Sequence, residues 1–189
     1  MKKIAVLASG SGTNAENLIN FFKENKKIEI SYIFSNNKNA YVIQRAKNHG
    51  IKHYIFSRTE FYNTTNILQI LQKNNIDFIV LSGFLWLIPD YLIKNYPARI
   101  INIHPALLPK YGGKGMYGMN VHKAVIQNNE KESGITIHYV NNEYDKGDII
   151  FQARCAINKD DTAETMAKKV HELEYRHFPK VIENIITNL

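Results

Sequence analysis

Asn102 and His104 stand one residue apart in Ile100-Ile101-Asn102-Ile103-His104-Pro105. In a strand, alternate residues share a face, so the carboxamide and the imidazole fall on one side and Ile101 and Ile103 on the other. Two polar side chains finishing an apolar strand suit the carboxyl edge of an open α/β sheet, where ligands bind. There a carboxamide N–H can stabilise an oxyanion, and an imidazole can donate to the same oxygen or carry a proton. The competing reading is a pair of hydrogen-bonded polar residues that merely end a strand. Asp145, in Glu143-Tyr144-Asp145-Lys146-Gly147, is a candidate third member. A carboxylate beside a catalytic histidine orients the ring and favours its charged form. Asp-x-Gly is also ordinary turn chemistry.

A second constellation follows the first apolar run. Ser9-Gly10-Ser11-Gly12-Thr13-Asn14 lies between a predicted strand and a predicted helix. Successive N–H groups in a Gly-rich turn form an anion-sized nest, and the helix N-terminus adds a favourable dipole. Thr13 with Glu16 also fits a capping box, a purely structural role. Gly10 to Ala15 satisfies the dinucleotide pattern G-x-G-x-x-A. That pattern needs an acidic residue after the second strand. Phe34-Ser35-Asn36-Asn37 has none there, so a simple phosphate site is the better reading.

Other chemistry-bearing residues read as structural. Cys155 falls in a predicted strand and reads as a small buried residue. His171-Glu172 opens like a zinc-protease motif, but Tyr175 occupies the place of its second histidine. No histidine pair has ligand spacing, and no metal is expected. Met116, Tyr117 and Met119 are expected to order their own loop.

These residues need a frame. Apolar runs at Lys3–Ala8, Ile28–Phe34, His53–Phe56, Ile76–Leu81 and Arg99–Ile103 read as strands. Helical spacing appears at Asn14–Asn25, Ala40–Asn48 and Phe61–Lys73, with a short helix from Pro89. Such alternation implies a doubly wound, mostly parallel α/β sheet. After a Gly-rich loop, Tyr111–Gly118, and a helix, Val121–Gln127, two strands read as a β-hairpin, Gly134–Val140 and Asp148–Ala156. Asp161-Thr162 opens a long closing helix. Glu164 gives Asp161 a capping-box partner, and Pro179 is expected to kink or split the helix.

The 189 residues are 44% hydrophobic and 22% charged, which fits a single globular domain. One cysteine excludes a disulfide framework, and no run has the length of a membrane span. Ser9–Thr13 interrupts the N-terminal apolar run, so the protein is expected to be cytoplasmic. The net charge of +7 favours anionic partners. The lysines are scattered, without the basic–aromatic tracts that grip single strands.

Taken together, these residues resemble the phosphoribosylglycinamide formyltransferases, members of the folate-dependent formyltransferase superfamily. The resemblance covers essentially the whole chain. It rests on Ala8–Asn14, Phe34-Ser35-Asn36, Leu81-Ser82-Gly83-Phe84, Asn102-Ile103-His104-Pro105-Ala106-Leu107-Leu108-Pro109 and Tyr144-Asp145-Lys146-Gly147. It implies a Rossmann-like fold in one domain, 1–189. Residues 1–100 would form the phosphate-binding half and 101–189 the catalytic and folate half. The implied reaction moves the formyl group of 10-formyltetrahydrofolate to the amine of phosphoribosylglycinamide, in purine synthesis. By the same resemblance Gly12, Thr13 and Asn14 hold the substrate phosphate, and Glu174, with His171 nearby, contacts the glycinamide side. Leu85, Trp86, Leu87 and Ile88 line the pterin pocket with their backbone groups. Asn141, Asn142, Glu143, Tyr144 and Asp145 close over it. Asn102, His104 and Asp145 are the implied catalytic trio, and protonated His104 joins Asn102 in donating to the oxyanion.

The implied partners are small molecules, without nucleic acid or membrane, and the chain is expected to be a monomer or homodimer. Trp86 stands where a basic residue is common in the family, and Phe61–Thr65 lacks an arginine that some relatives use near the folate. The Lys110–Gly118 loop is longer than usual. Only His122 follows it, where relatives often carry two histidines. Rival readings are a methionyl-tRNA transformylase, a formyltetrahydrofolate hydrolase, a nucleic-acid-binding module and a non-catalytic nucleotide-binding protein. The first would need a C-terminal RNA-binding domain, and the second usually carries an N-terminal regulatory one.

Overall fold

The computed structural model describes residues 1–188, so Leu189 of the expected 1–189 domain lies outside the described residues. Five parallel strands come first in the chain: β1 (Lys2–Leu7), β2 (Ile28–Ser35), β3 (Lys52–Ile55), β4 (Phe78–Leu81) and β5 (Ile100–His104). Two antiparallel strands, β6 (Glu132–Tyr139) and β7 (Ile149–Ala156), extend the sheet as the expected hairpin. The spatial order is β3-β2-β1-β4-β5-β6-β7. The chain winds outward from β1 in one direction and from β4 in the other. The crevice at the carboxyl ends of β1 and β4 is therefore the topological switch point.

Helices cover both faces. α1 (Thr13–Phe22), α2 (Tyr41–Asn48) and α7 (Ala163–Thr187) pack on one side. α3 (Arg58–Asn63), α4 (Asn66–Lys73) and α5 (Asp90–Asn95) pack on the other. α6 (Met119–Gln127) lies against α7 beyond the end of β5. The period of two in β1 explains the sandwich: Ile4 and Val6 enter one apolar core, Ala5 and Leu7 the other. All four are fully buried.

Four local expectations are corrected. The helix read at Phe61–Lys73 is two helices, because Thr64 adopts an extended backbone. Its hydroxyl donates to the Glu60 carbonyl and accepts the Asn66 N–H, bonds that compete with helix continuation. The α7 capping box is formed by Thr162 and Thr165, not by Asp161 and Glu164. Asp161 accepts the Asn158 N–H and the Thr165 hydroxyl and pairs with Lys169. The Lys169 bond, then the other two, hold its pKa down to about 2. At α1 the cap is Gly12 in a left-handed conformation, with no side-chain capping bond, and Glu16 pairs with Arg45 instead. Pro179 does not split α7, which runs through it as one helix. Val170, Phe178, Pro179 and Ile182 are all buried, so packing on both sides of the proline holds the helix together.

Candidate functional site

The loop after β1 directs its carbonyls into the protein. Ser9 O accepts from Asn37 Nδ2 (3.3 Å), Gly10 O from Val42 N (3.2 Å), Ser11 O from Arg45 Nε (2.9 Å) and Gly12 O from Glu16 N (2.9 Å). No intramolecular acceptor is found, among the described residues, for the N–H groups of Gly10, Ser11 and Gly12. Carbonyls turned in and donors left over, at a helix N-terminus, make an anion-sized cradle. Asn14, in the first turn of α1, donates Nδ2 to Glu174 Oε2 (2.8 Å). His171 Nδ1 reaches the same oxygen (2.7 Å). Glu174 is only 4% exposed. Its hydrogen bond to His171 raises the imidazole pKa above the ordinary value, against the effect of burial. The loop, Asn14, His171 and Glu174 thus form one cluster across α1 and α7, although only Asn14 is near the loop in sequence.

The second cluster lies at the end of β5. Asn102 Nδ2 is 3.3 Å from Asp145 Oδ1. His104 Nδ1 is 3.5 Å from Asp145 Oδ2, and its Nε2 is 2.7 Å from the Tyr111 carbonyl oxygen. The structure therefore brings Asn102, His104 and Asp145 together. His138 on β6 joins them, and the histidine spacing alone had not singled it out. It pairs directly across from Asn102 in the antiparallel register, with Nε2 3.1 Å from Asn102 Nδ2 and 3.5 Å from Asp145 Oδ1. The alternation Thr136-x-His138, which repeats the polar-x-polar ending of β5, was the available signal.

Two residues bracketing His104, Tyr111 (φ 57°) and Asp145 (φ 56°), hold left-handed backbones. Non-glycine residues rarely adopt this conformation, and it is common at functional sites. Asp145 is further fixed by the Gly113 N–H at 2.9 Å. Gly112 permits that approach: a Cβ there would lie 2.5 Å from Leu108 Cδ2 and 3.2 Å from Asp145 Cβ. Burial works to raise the Asp145 pKa, but the His138 bond, the His104 charge and the Gly113 N–H outweigh it and hold the carboxyl below its ordinary value. Burial lowers the His104 pKa, against the opposing pull of Asp145 and the Tyr111 carbonyl. The imidazolium expected from sequence is therefore disfavoured in the free protein. Each ring nitrogen faces an acceptor, Nε2 the Tyr111 carbonyl and Nδ1 the Asp145 carboxylate, so the geometry favours a ring proton on either side while burial opposes the full charge.

The loop after β1 and the Asn102–His104–Asp145 cluster at the end of β5 thus both lie at the carboxyl edge of the sheet. The sequence profile of the formyl transferase family matches residues 2–182. The chain belongs to the formyl transferase family. It is 36% identical over 187 residues to the chloroplastic phosphoribosylglycinamide formyltransferase of Arabidopsis thaliana, covering 96% of this chain and 64% of that protein. The chain thus spans just under two-thirds of the length of that relative. It is 35% identical over 191 residues to the phosphoribosylglycinamide formyltransferase of Bacillus subtilis, covering 98% of this chain and 95% of that one. The crystal structure of the Anaplasma phagocytophilum phosphoribosylglycinamide formyltransferase superposes with a TM-score of 0.89 at 32% identity, covering 99% of this chain and 88% of that one.

In this chain the segment after β4 is stitched to both clusters. Leu85 N donates to Ser9 Oγ (3.1 Å), and Leu87 N donates to the Tyr144 hydroxyl (3.1 Å). Tyr62 in turn donates its hydroxyl to Leu87 O (2.9 Å). Both backbone polar groups of Leu87 are engaged within the chain. Ile88 is buried, Leu85 is 41% exposed, and Trp86 sits in an aromatic cluster with Phe56, Phe61, Tyr62 and Phe84. The Arg58 guanidinium lies over the Tyr62 and Trp86 rings, 5.1 and 5.5 Å from their centroids, so a cation does stand beside the tryptophan.

In the facing loop Asn141 Oδ1 caps the Glu143 N–H (3.0 Å), and Asn142 and Glu143 are exposed. Met116 packs against a small apolar cluster with Ala106 and Val121, whereas Tyr117 and Met119 are exposed and do not order the loop by burial. Cys155 is half-buried rather than buried, and burial raises its thiol pKa. No group of side chains arranged to hold a metal ion is found among the described residues, and no helix there is long and apolar enough to cross a membrane.

Proposed function

We propose that this chain transfers the formyl group of 10-formyltetrahydrofolate to the amine of 5'-phosphoribosylglycinamide, giving formylglycinamide ribonucleotide and tetrahydrofolate in purine biosynthesis. The observation that carries the reading is the pairing of an outward-facing N–H cradle at Gly10–Gly12 with an Asn102–His104–Asp145 cluster on the same sheet edge. The cradle takes the phosphate, with Thr13, Asn14 and His171 beside it, and Glu174 lies along the path to the amine. The folate enters between Leu85–Ile88 and Asn141–Asp145. Of the two clusters, the cradle belongs to the 1–100 half and the trio to the 101–189 half of one working domain.

The amine attacks the formyl carbon, and charge gathers on the formyl oxygen. That oxygen takes over an amide N–H of Asn102 that Asp145 or His138 accepts in the free chain. The proton lost by the amine passes to His104, whose burial favours the neutral ring. The resulting imidazolium is stabilised by the Asp145 carboxylate beside its Nδ1 and, in turn, stabilises the charge developing in the site. The same proton then goes to the departing folate nitrogen as the tetrahedral intermediate collapses.

The deciding experiment is a steady-state assay of formyl loss from 10-formyltetrahydrofolate. Turnover is expected only when phosphoribosylglycinamide is present. Turnover without it would mean a hydrolase, and no turnover in either case would overturn the reading.

A pH dependence follows from the His171–Glu174 pair. The His171 pKa is raised, so its charge is fully present below about pH 6.5 and is lost as pH rises through the higher folded value. KM for the ribonucleotide is expected to rise across that upper window in the wild type, relative to a His171→Gln variant measured over the same pH range. Parallel KM profiles for the two proteins would remove His171 from the phosphate side. The same reading places the protein in the cytoplasm as a monomer or homodimer, and its lone unpaired cysteine agrees with a reducing compartment.

A further inference from the structure

A backbone N–H serves a ligand well only where the peptide that carries it is held in place. In a trans peptide the carbonyl and the N–H point in opposite directions. Fixing the carbonyl on one side therefore aims the N–H to the other. α2 fixes two successive peptides of the loop after β1 in this way. Val42 N, in its first turn, donates to Gly10 O (3.2 Å), which turns the Ser11 N–H away from α2. Arg45 Nε, in its last turn, donates to Ser11 O (2.9 Å), which turns the Gly12 N–H the same way. The first clamp is backbone. The second depends on a single side chain, 34 positions from the loop residue it holds.

The Arg45 guanidinium is itself held on two further sides. A terminal nitrogen pairs with Glu16, in the first turn of α1. Its Cζ lies 4.9 Å from the centroid of the Tyr41 ring, one turn back on the same face of α2. One planar fork thus joins α2, the loop and α1. We propose that Arg45 is a positioning residue for phosphate binding: by holding the Ser11 carbonyl against α2, it aims the Gly12 N–H at the phosphate of the ribonucleotide. The assignment rests on the phosphate reading of the loop and adds to it a residue that does not touch the substrate. Arginine suits the task because its donors leave a rigid plane in fixed directions, one toward a carbonyl and one toward a carboxylate. Lysine carries the same charge on a flexible stem and fixes no such directions.

The test uses steady-state kinetics with phosphoribosylglycinamide and with its dephosphorylated riboside, inhibition by inorganic phosphate, and thermal melting. Arg45→Met keeps the apolar stem and removes the donors, while Glu16 retains His49 Nε2 at 3.4 Å. KM for the ribonucleotide and Ki for inorganic phosphate are expected to rise together at least about tenfold, equivalent to about 1.4 kcal/mol. KM for the formyl folate, kcat, and kcat/KM for the riboside are expected to stay within about twofold. A side chain that only braced the fold would weaken riboside and ribonucleotide alike. That result, or a ribonucleotide KM within about twofold of wild type, would overturn the assignment. Arg45→Lys separates position from charge, and stands in should Arg45→Met not fold. Its Ki for inorganic phosphate is expected to stay raised at least about fivefold. Recovery to the wild-type value would show that charge alone acts and would overturn the positioning role. Wild-type protein with equal KM for riboside and ribonucleotide would instead overturn the phosphate reading of the loop, and this assignment with it.

Discussion

Replacing His104 with alanine is expected to lower turnover at least about a hundredfold while leaving the fold intact. Removing an oxyanion donor of this kind typically costs about 3–4 kcal/mol of barrier. In the proposed mechanism His104 also accepts the amine's proton, so its loss would affect both halves of the reaction. The residues around it keep other partners. Asp145 retains Asn102 and the Gly113 N–H, so the variant does not leave a bare buried carboxylate. Asn102→Ala is expected to fall by a similar factor, because it removes the carboxamide that faces both Asp145 and His138. The measurements are kcat and KM for both substrates, with thermal melting to show that each variant is folded. Near-normal turnover in both variants would remove the pair from the reaction. Retained substrate binding with lost turnover is the expected signature, since these interactions strengthen in the transition state.

Gly12→Val is expected to raise KM for the ribonucleotide at least about tenfold and to lower Tm. Two independent effects act at this position. Gly12 has φ +72°, a conformation costing a side-chain-bearing residue about 1–3 kcal/mol. A Cβ there would also lie 2.4 Å from Val42 Cγ2 and 2.9 Å from Val42 Cα. The second of these is backbone, so the loop rather than a flexible side chain must shift. The shift pulls the cradle N–H groups out of line and weakens phosphate binding. Gly50→Ala separates the two effects, because Gly50 has a similar φ of +67° with nothing within 4 Å of an added Cβ. It is expected to lose some stability and no ribonucleotide affinity. A Gly12→Val protein with unchanged KM would show that the loop does not hold the phosphate.

Much of this arrangement was legible before any coordinates. The alternation of apolar strands and amphipathic helices gave the doubly wound sheet, because burial on both faces leaves a continuous apolar run. Glycines after the first strand marked the cradle, since only a tight turn into a helix N-terminus needs them there. The Asn102-x-His104 spacing placed two polar groups on one face by strand geometry alone. These are local signals, carried by residues within a few positions of one another.

Tertiary structure decided what joins residues far apart in the chain. Asp145 meets Asn102 across 43 positions, and Glu174 meets Asn14 across 160. His138 enters the site only because the hairpin pairs antiparallel with β5 and sets it opposite Asn102. The protonation preference of His104 was also invisible in sequence. A neighbouring aspartate argues for a charged ring, but burial acts against it and prevails. Residue type and spacing determine which groups are offered to one face of an element. Distance, desolvation and the partners left unfilled depend on how the elements pack, and these determine the chemistry.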